Sequence, residues 1–414
     1  MRDDGEPAMG NAHVDQVDTR YSSLARASSD SPWRGGGAVG VPADEIDFGG
    51  GVPDPSTYPL EVLDDLLPAV LREDDRRALS YDTSAGFAGL QSALVERLHR
   101  RGAPEMSNAQ IAVVNGSAGA MAIVASAFLD PGDVVVAERL SWPGALRAFQ
   151  LLGATIAYAP LDADGLDPDG LEDLLSRLAR DRRRVKLVYT IATAHNPTGT
   201  TQPLERRRRI ADIARRFGVV LLQDDAYGEL WLHDSPVTPY LGLAPERTIH
   251  LGSFSKTIAP GLRVGWIASS PPISAMLAKV RSELGTTPIL QRLVAHFVER
   301  GYYDAHLATV TELYRTRRDA LLQGLTDHCA PYCRWNQPEA GFYVWVTLDQ
   351  GDLGVLTPHT ARHHVKFMPG PYFSPDHPEH GGFRLSYSSL TPERLEDGAR
   401  RLGLALAEHA TGAA

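Results

Sequence analysis

From about residue 109 the chain alternates short apolar, β-branched runs with segments of helical periodicity, and no other feature of its 414 residues restricts the fold as much. Asp133–Glu138, Thr155–Ala159, Val185–Thr190, Val219–Gln223, Thr248–Gly252 and Arg263–Ala268 read as strands. Most lack polar alternation, the pattern of strands covered by helices on both faces of a parallel sheet. Between them, Ile210, Ile213, Ala214 and Phe217 fall at i, i+3, i+4 and i+7, one apolar stripe turned to the sheet. The expected class is α/β. After a long helical stretch around Ser274–Arg300 come separated strands, Gly341–Leu348, Val365–Met368 and Phe383–Tyr387. A helix then closes the pattern, with Thr391 as N-cap, Pro392 in its first turn, and Leu395, Ala399, Leu402 and Leu406 on one face. This predicts a smaller α+β domain after the first.

Residues 1–45 show neither period and are rich in Gly, Ser, Ala, Asp and Arg, which predicts a mobile arm. Gly35, Gly37 and Gly40 have the spacing of a dinucleotide fingerprint, but no strand precedes them and Pro42 follows. Apolar residues are 43% of the chain and charged residues 22%, a globular balance. With 51 acidic residues against 41 Lys and Arg, the net charge of −10 opposes nucleic-acid binding. The longest mostly apolar run, Ala118–Leu129, is short for a membrane span. Two cysteines, Cys329 and Cys333, and an N-terminus without an apolar core predict a cytoplasmic protein. The run Arg206–Arg209 reads as a solvated helix face. The histidines at 359, 363, 364, 377 and 380 lack a metal-ligand spacing with acids and read as loop and surface residues, with His377 or His380 available to line a pocket.

Four features stand near strand ends, where ligands bind open α/β sheets. Asn115-Gly116-Ser117-Ala118-Gly119 opens an apolar helix whose free N–H groups suit an anion. His195-Asn196-Pro197-Thr198-Gly199 is a turn sequence after a strand. Asp224-Asp225-Ala226-Tyr227 puts two carboxylates at a strand terminus, where burial demands a partner. Ser253-Phe254-Ser255-Lys256 is followed by Arg263, a Schiff-base amine and a phosphate partner in one reading. In another, Ser253 and Lys256 form the Ser-x-x-Lys of serine acyl-transfer enzymes, whose Ser-Asp-Asn and Lys-Thr-Gly elements are missing after Lys256.

Together, Asn-Pro-Thr-Gly, Asp-x-x-Tyr and Ser-x-x-Lys, in this order, resemble the class I/II aminotransferase family of pyridoxal 5'-phosphate enzymes, over about residues 47–408. The resemblance implies the aspartate-aminotransferase fold (fold type I), with a large three-layer αβα domain at residues 60–285. It also implies a small α+β domain made of 46–59 and 286–414. It implies amino-group transfer between an α-amino acid and a 2-oxo acid through a Schiff base at Lys256, which also transfers protons. Asp224 would pair with the pyridine nitrogen, Asn196 and Tyr227 would bond the phenolic oxygen, and Trp142 would stack on the ring. Ser117, the backbone of Ala118, Ser253 and Arg263 would hold the phosphate, with Tyr81 reaching the phosphate of a partner subunit in a homodimer. Arg384 would grip the substrate carboxylate beside Asn196 and a backbone contact from Gly51. Many members carry glutamine where Ala118 stands, and Ala192 and His195 also depart from the usual pattern. These departures leave room for another outcome of the same cofactor chemistry: oxidation, cyclisation, elimination or replacement, or carbon–carbon bond formation. A sensor domain of the kind fused to DNA-binding modules is a further class, disfavoured by the lack of a helix-turn-helix pattern and of basic excess.

Overall fold

The computed structural model describes residues 44–72, 74–81, 85–233, 236–281, 285–374, 376 and 381–411. The expected N-terminal arm, up to residue 43, and His377 and His380 lie outside the described residues.

In chain order the strands are β1 (Ile46–Asp47), β2 (Ile111–Asn115), β3 (Val134–Glu138), β4 (Thr155–Ala159), β5 (Leu161–Asp162), β6 (Gly165–Leu166), β7 (Val185–Thr190), β8 (Val220–Asp224), β9 (Thr248–Ser253), β10 (Val264–Ser269), β11 (Cys333–Trp335), β12 (Tyr343–Leu348), β13 (Val365–Lys366), β14 (Met368–Pro369) and β15 (Gly382–Ser386). Seven of them form one sheet in the order β2-β10-β9-β8-β7-β3-β4. Its pairings are parallel except for β10, which runs against both β9 and β2. The link from β9 to β10 is too short to hold the helical crossover that a parallel partner needs, so β10 returns antiparallel. Consequently β2, β3, β7, β8 and β9 all end at the same edge.

Side-chain alternation serves both faces of this sheet. Leu187, Leu222 and Ile249 pack with Met121, Val124 and Phe149 on one side. Val188 and Leu221 pack with Leu171, Leu175, Ile210 and Ile213 on the other. Each such side chain contributes about 1.5–3 kcal/mol by leaving water, which is why the strands read as unbroken apolar runs. The C-terminal part holds an antiparallel sheet, β11-β12-β15-β14. Behind it lie the helices Tyr302–His328 and Pro392–Thr411, joined through Leu321, Leu325, Leu395, Ala399, Leu402 and Leu406. β1 pairs in parallel with β13, which carries the following segment, Gly49–Asp54, to the edge where the large sheet ends.

Several elements differ from their sequence reading. β2 was not expected as a strand: it passes directly into the helix Gly116–Phe128 through Asn115-Gly116, the φ of +68° at Gly116 making the corner. The helical stretch at 274–300 divides into Pro271–Val280 and Pro288–Glu299, each opened by proline. The 27-residue helix Tyr302–His328 escaped notice because its buried face includes Arg317 and Arg318 beside Tyr303, Val310 and Tyr314. Val365–Met368 is not one strand but two short ones in different sheets. Arg207 corrects the reading of Arg206–Arg209 as a solvated face. Its neighbours pair with acids at the surface. Arg207 itself is fully buried and donates to the carbonyls of Gln202 and Ala192 and to Thr193 Oγ1, each at 2.9 Å.

Candidate active site

The ends of β2, β7, β8 and β9 bring the motifs together. Lys256 follows β9, and its Nζ donates to the Gly51 carbonyl at 2.6 Å. Burial pushes this amine below its usual range, and the positive charges of Arg384 and Arg263 act in the same direction. Asp224 closes β8, the neighbouring strand. Its Oδ2 accepts from Tyr189 Oη at 3.1 Å. Its Oδ1 is buried with no hydrogen-bond partner among the described residues. Burial raises the Asp224 carboxyl to about 6, and the charge of Asp225 adds to the rise. Asp225 behaves in the opposite way: though buried, it is paired at 2.5 Å with Arg101, which holds it below its usual range. The two adjacent carboxylates are thus separated by their environments, one neutralised by a cation and the other left facing the site.

Asn196 follows β7 in a turn whose Asn196–Pro197 peptide is cis. Behind that turn the buried His195 places Nε2 3.0 Å from Glu138 Oε2 and Nδ1 2.8 Å from Thr198 Oγ1. Glu138 also accepts from Thr190 Oγ1 and from the Ile191 amide, so the turn is anchored to β3 and β7. Asn196 Oδ1 in turn accepts from Arg384 Nη1 at 2.7 Å. Arg384, on β15, gives Nη2 to the Gly49 carbonyl at 2.7 Å. Its guanidinium lies 4.2 Å from the Tyr343 ring centroid and 5.0 Å from that of Phe373. Tyr227 lies with its ring 5.9 Å from Lys256 Nζ and its hydroxyl 2.7 Å from that of Tyr343.

At the other end of the site, Arg263 Nη2 donates to the Asn115 carbonyl at 3.1 Å. Its guanidinium covers the start of the helix Gly116–Phe128 so closely that a Cβ on Gly116 would stand 2.7–3.0 Å from it. A cation above a helix N-terminus is a cradle for one phosphate. Ser117 is half-buried beside it and Ala118 is exposed, able to offer only its backbone. Ser253, buried at the end of β9, accepts from the Ser255 amide at 3.1 Å. Trp142 caps the helix Pro143–Gln150, its indole filling the space above Gly144. Tyr81 is 89% exposed, left at the surface by its own chain.

The segment carrying Gly51 is tied down by contacts that the motifs did not reveal. Ser388 Oγ donates to the Val52 carbonyl at 2.6 Å, and Asp54 pairs with the buried Arg317. Tyr343, Phe373, Arg317 and the Arg101–Asp225 pair were all missed; the only signal for Tyr343 was an aromatic residue in a strand already expected. His359 corrects its reading as a loop or surface residue, being buried on the helix Leu353–Arg362; it and His363 bond Glu408, and His364 lies 3.2 Å from Asp44. Among the described residues no group of His, Cys, Asp or Glu is placed to hold a metal ion, and no helix is long and apolar enough to cross a membrane.

The residues fit pyridoxal 5'-phosphate. A buried carboxylate oxygen awaits a donor, an amine of lowered basicity stands one strand away, and an anion cradle closes one end. Comparison with known proteins points the same way. Residues 44–402 match the family model described as aminotransferase class I and II. The aromatic-amino-acid aminotransferase 1 of Thermococcus litoralis is 34% identical, over 88% of this chain and 89% of that one. The multiple substrate aminotransferase of Thermococcus profundus superposes with a TM-score of 0.88 at 32% identity, covering 96% of this chain and 99% of the other. The α-aminoadipate aminotransferase of Thermus thermophilus, solved in complex with N-(5'-phosphopyridoxyl)-L-leucine, has a TM-score of 0.84 at 30% identity, covering 95% and 99%. A match of this extent shows that the protein is a transferase belonging to the class I and II aminotransferases.

Proposed function

We propose that this transferase uses pyridoxal 5'-phosphate, held at Lys256, to move the amino group of an α-amino acid to a 2-oxo acid in two half-reactions. The observation that carries the reading is the pair on adjacent strands: a lysine amine lowered by burial, and the buried Asp224 with one oxygen unsatisfied. When bound, the cofactor supplies an aldehyde for the lysine amine and an electron-withdrawing ring that stabilises charge at the substrate Cα. The protein does the rest. Asp224 binds the ring nitrogen and keeps its proton, Asn196 and Tyr227 hold the phenolic oxygen, and Trp142 covers a ring face. Ser117, the Ala118 amide, Ser253 and Arg263 bind the phosphate, and Tyr81 serves the phosphate of a partner subunit in a homodimer. Lys256, in its neutral form, carries the proton to and from Cα. Arg384, in contact with the Tyr343 and Phe373 rings, takes the substrate carboxylate in a bidentate fork, exchanging the Gly49 carbonyl for it. Residues 60–285 are assigned to the large domain, and 46–59 with 286–414 to the small one. The two free, buried cysteines support a cytoplasmic location.

The test is a single half-reaction. Holoenzyme given an amino acid alone, without a 2-oxo acid, is expected to release one equivalent of the matching 2-oxo acid per site without consuming oxygen. Lys256→Ala is expected to abolish this release while the protein still folds. Oxygen uptake, or continuous product formation without an acceptor, would replace the reading by an oxidative or eliminating one.

A further inference from the structure

The hydroxyl of Tyr343 has no role in the assignment above, yet the residue touches three of its parts. It projects from β12 of the small antiparallel sheet, whereas Tyr227 follows β8 of the large one. Their hydroxyls meet at 2.7 Å, and their rings cross edge-on at 77°. The Tyr343 ring also carries the Arg384 guanidinium, 4.2 Å from its centroid. Its hydroxyl also occupies the space beside Gly51 so fully that a Cβ there would stand 2.5 Å from it. Tyr343 is 2% exposed and Tyr227 4%, so neither hydroxyl is free to exchange its partner for bulk water.

A phenol has one proton to donate and two lone pairs. On the reading proposed above, on which this inference rests, Tyr227 gives its proton to the phenolic oxygen of the cofactor. Its hydroxyl oxygen must then be the acceptor in the pair with Tyr343. We infer that Tyr343 is a positioning residue that donates to the Tyr227 hydroxyl, orients its proton toward the cofactor oxygen, and joins that contact to the Arg384 grip and to the segment of Gly51. A donor behind a donor strengthens the second hydrogen bond through polarisation. Without Tyr343 the Tyr227 hydroxyl is a free rotor, its proton shared among orientations.

The effect is readable in the ground-state spectrum. A hydrogen bond donated to the cofactor oxygen favours the form in which that oxygen carries the negative charge. Weakening it therefore raises the pH midpoint of the absorbance change of the lysine-linked cofactor. Tyr343→Phe keeps the ring, its packing and the Arg384 contact. It is expected to raise the midpoint by about half to one unit, the scale of one modest hydrogen bond, and to weaken binding of pyridoxal 5'-phosphate to the apoprotein about three- to tenfold. In a Tyr227→Phe background the same substitution is expected to leave the midpoint where Tyr227→Phe alone puts it, because the hydroxyl it acts through is gone. A midpoint that does not rise in Tyr343→Phe, or that rises equally in both backgrounds, overturns the inference. Failure of the unmutated protein to form the lysine-linked absorbance band at all would instead defeat the parent reading, so the two failures are told apart.

Discussion

Asp224 is costly to the protein without its proposed cofactor: nothing among the described residues bonds its buried Oδ1. Its carboxyl, raised to about 6 in the fold from an ordinary 3.8, binds a proton more readily folded than unfolded. The sign follows: as pH rises from about 4 through 6 the folded state loses stability relative to the unfolded one, and above 6 the full cost is present. Asp224→Asn in the cofactor-free protein is therefore expected to be more stable than the parent at pH 8, by on the order of 2 kcal/mol. The gain should shrink as pH falls toward 5, which melting temperatures at the two pH values measure. If Asp224 pairs with the cofactor's ring nitrogen as proposed, the order should reverse at pH 8 with pyridoxal 5'-phosphate bound, because the carboxylate then has a cationic partner. The motifs that carry Asp224 and Lys256 were legible in the sequence by their spacing, and Arg384 by family resemblance; the structure brings all three into one place. Tyr343 and Arg101 were not legible, because each acquires its place through a partner more than a hundred positions away.

Among the elements, the corner between β2 and the helix Gly116–Phe128 carries the proposed anion site. Gly116 has a positive φ and lies beneath the Arg263 guanidinium, so a side chain there meets both backbone strain and a clash. Gly116→Ala is expected to cost about 1–2 kcal/mol in the apoprotein. It should also displace the guanidinium and weaken binding of pyridoxal 5'-phosphate by more than tenfold, while binding of the phosphate-free aldehyde changes little. Calorimetric melting and equilibrium titration with both aldehydes check the two parts. The apolar, β-branched strands were legible one by one, since burial on both faces leaves a continuous signature. β2 was not, because an alanine-containing run leading straight into small residues has the look of a helix start. The helix Tyr302–His328 was not either, because its inward arginines, paired only through the fold, interrupt the period that would announce it.

For the whole molecule, the exposed Tyr81, proposed to reach the phosphate of a partner subunit, makes assembly part of the proposed chemistry. The protein is expected to sediment as a dimer of its 45.0 kDa chain. Tyr81→Ala is expected to weaken cofactor binding about tenfold, on the order of 1.4 kcal/mol, without changing the melting temperature of the apoprotein. A monomer with full cofactor affinity would remove Tyr81 from the site. Within one chain, the parallel pairing of β1 with β13 joins residues near the start to residues near the end. The Asp54–Arg317 pair and the Arg384–Gly49 bond then carry Gly51 to Lys256. The glycine-rich run at 49–51 was legible as a close-approach segment, but its connection to β13 was not.

By itself the sequence determined the class of the fold, the succession of its buried strands and the residue types that stand at their ends. These follow from local rules, since burial imposes a period on each strand and a chemistry needing a lysine, an aspartate and an arginine leaves them in recognisable surroundings. Only the tertiary structure decided which oxygen of Asp224 is unsatisfied, that Asp225 is neutralised by Arg101, and that Tyr343 stands behind Tyr227. These are properties of desolvated groups, and desolvation is set by everything that packs around a group, not by its neighbours along the chain.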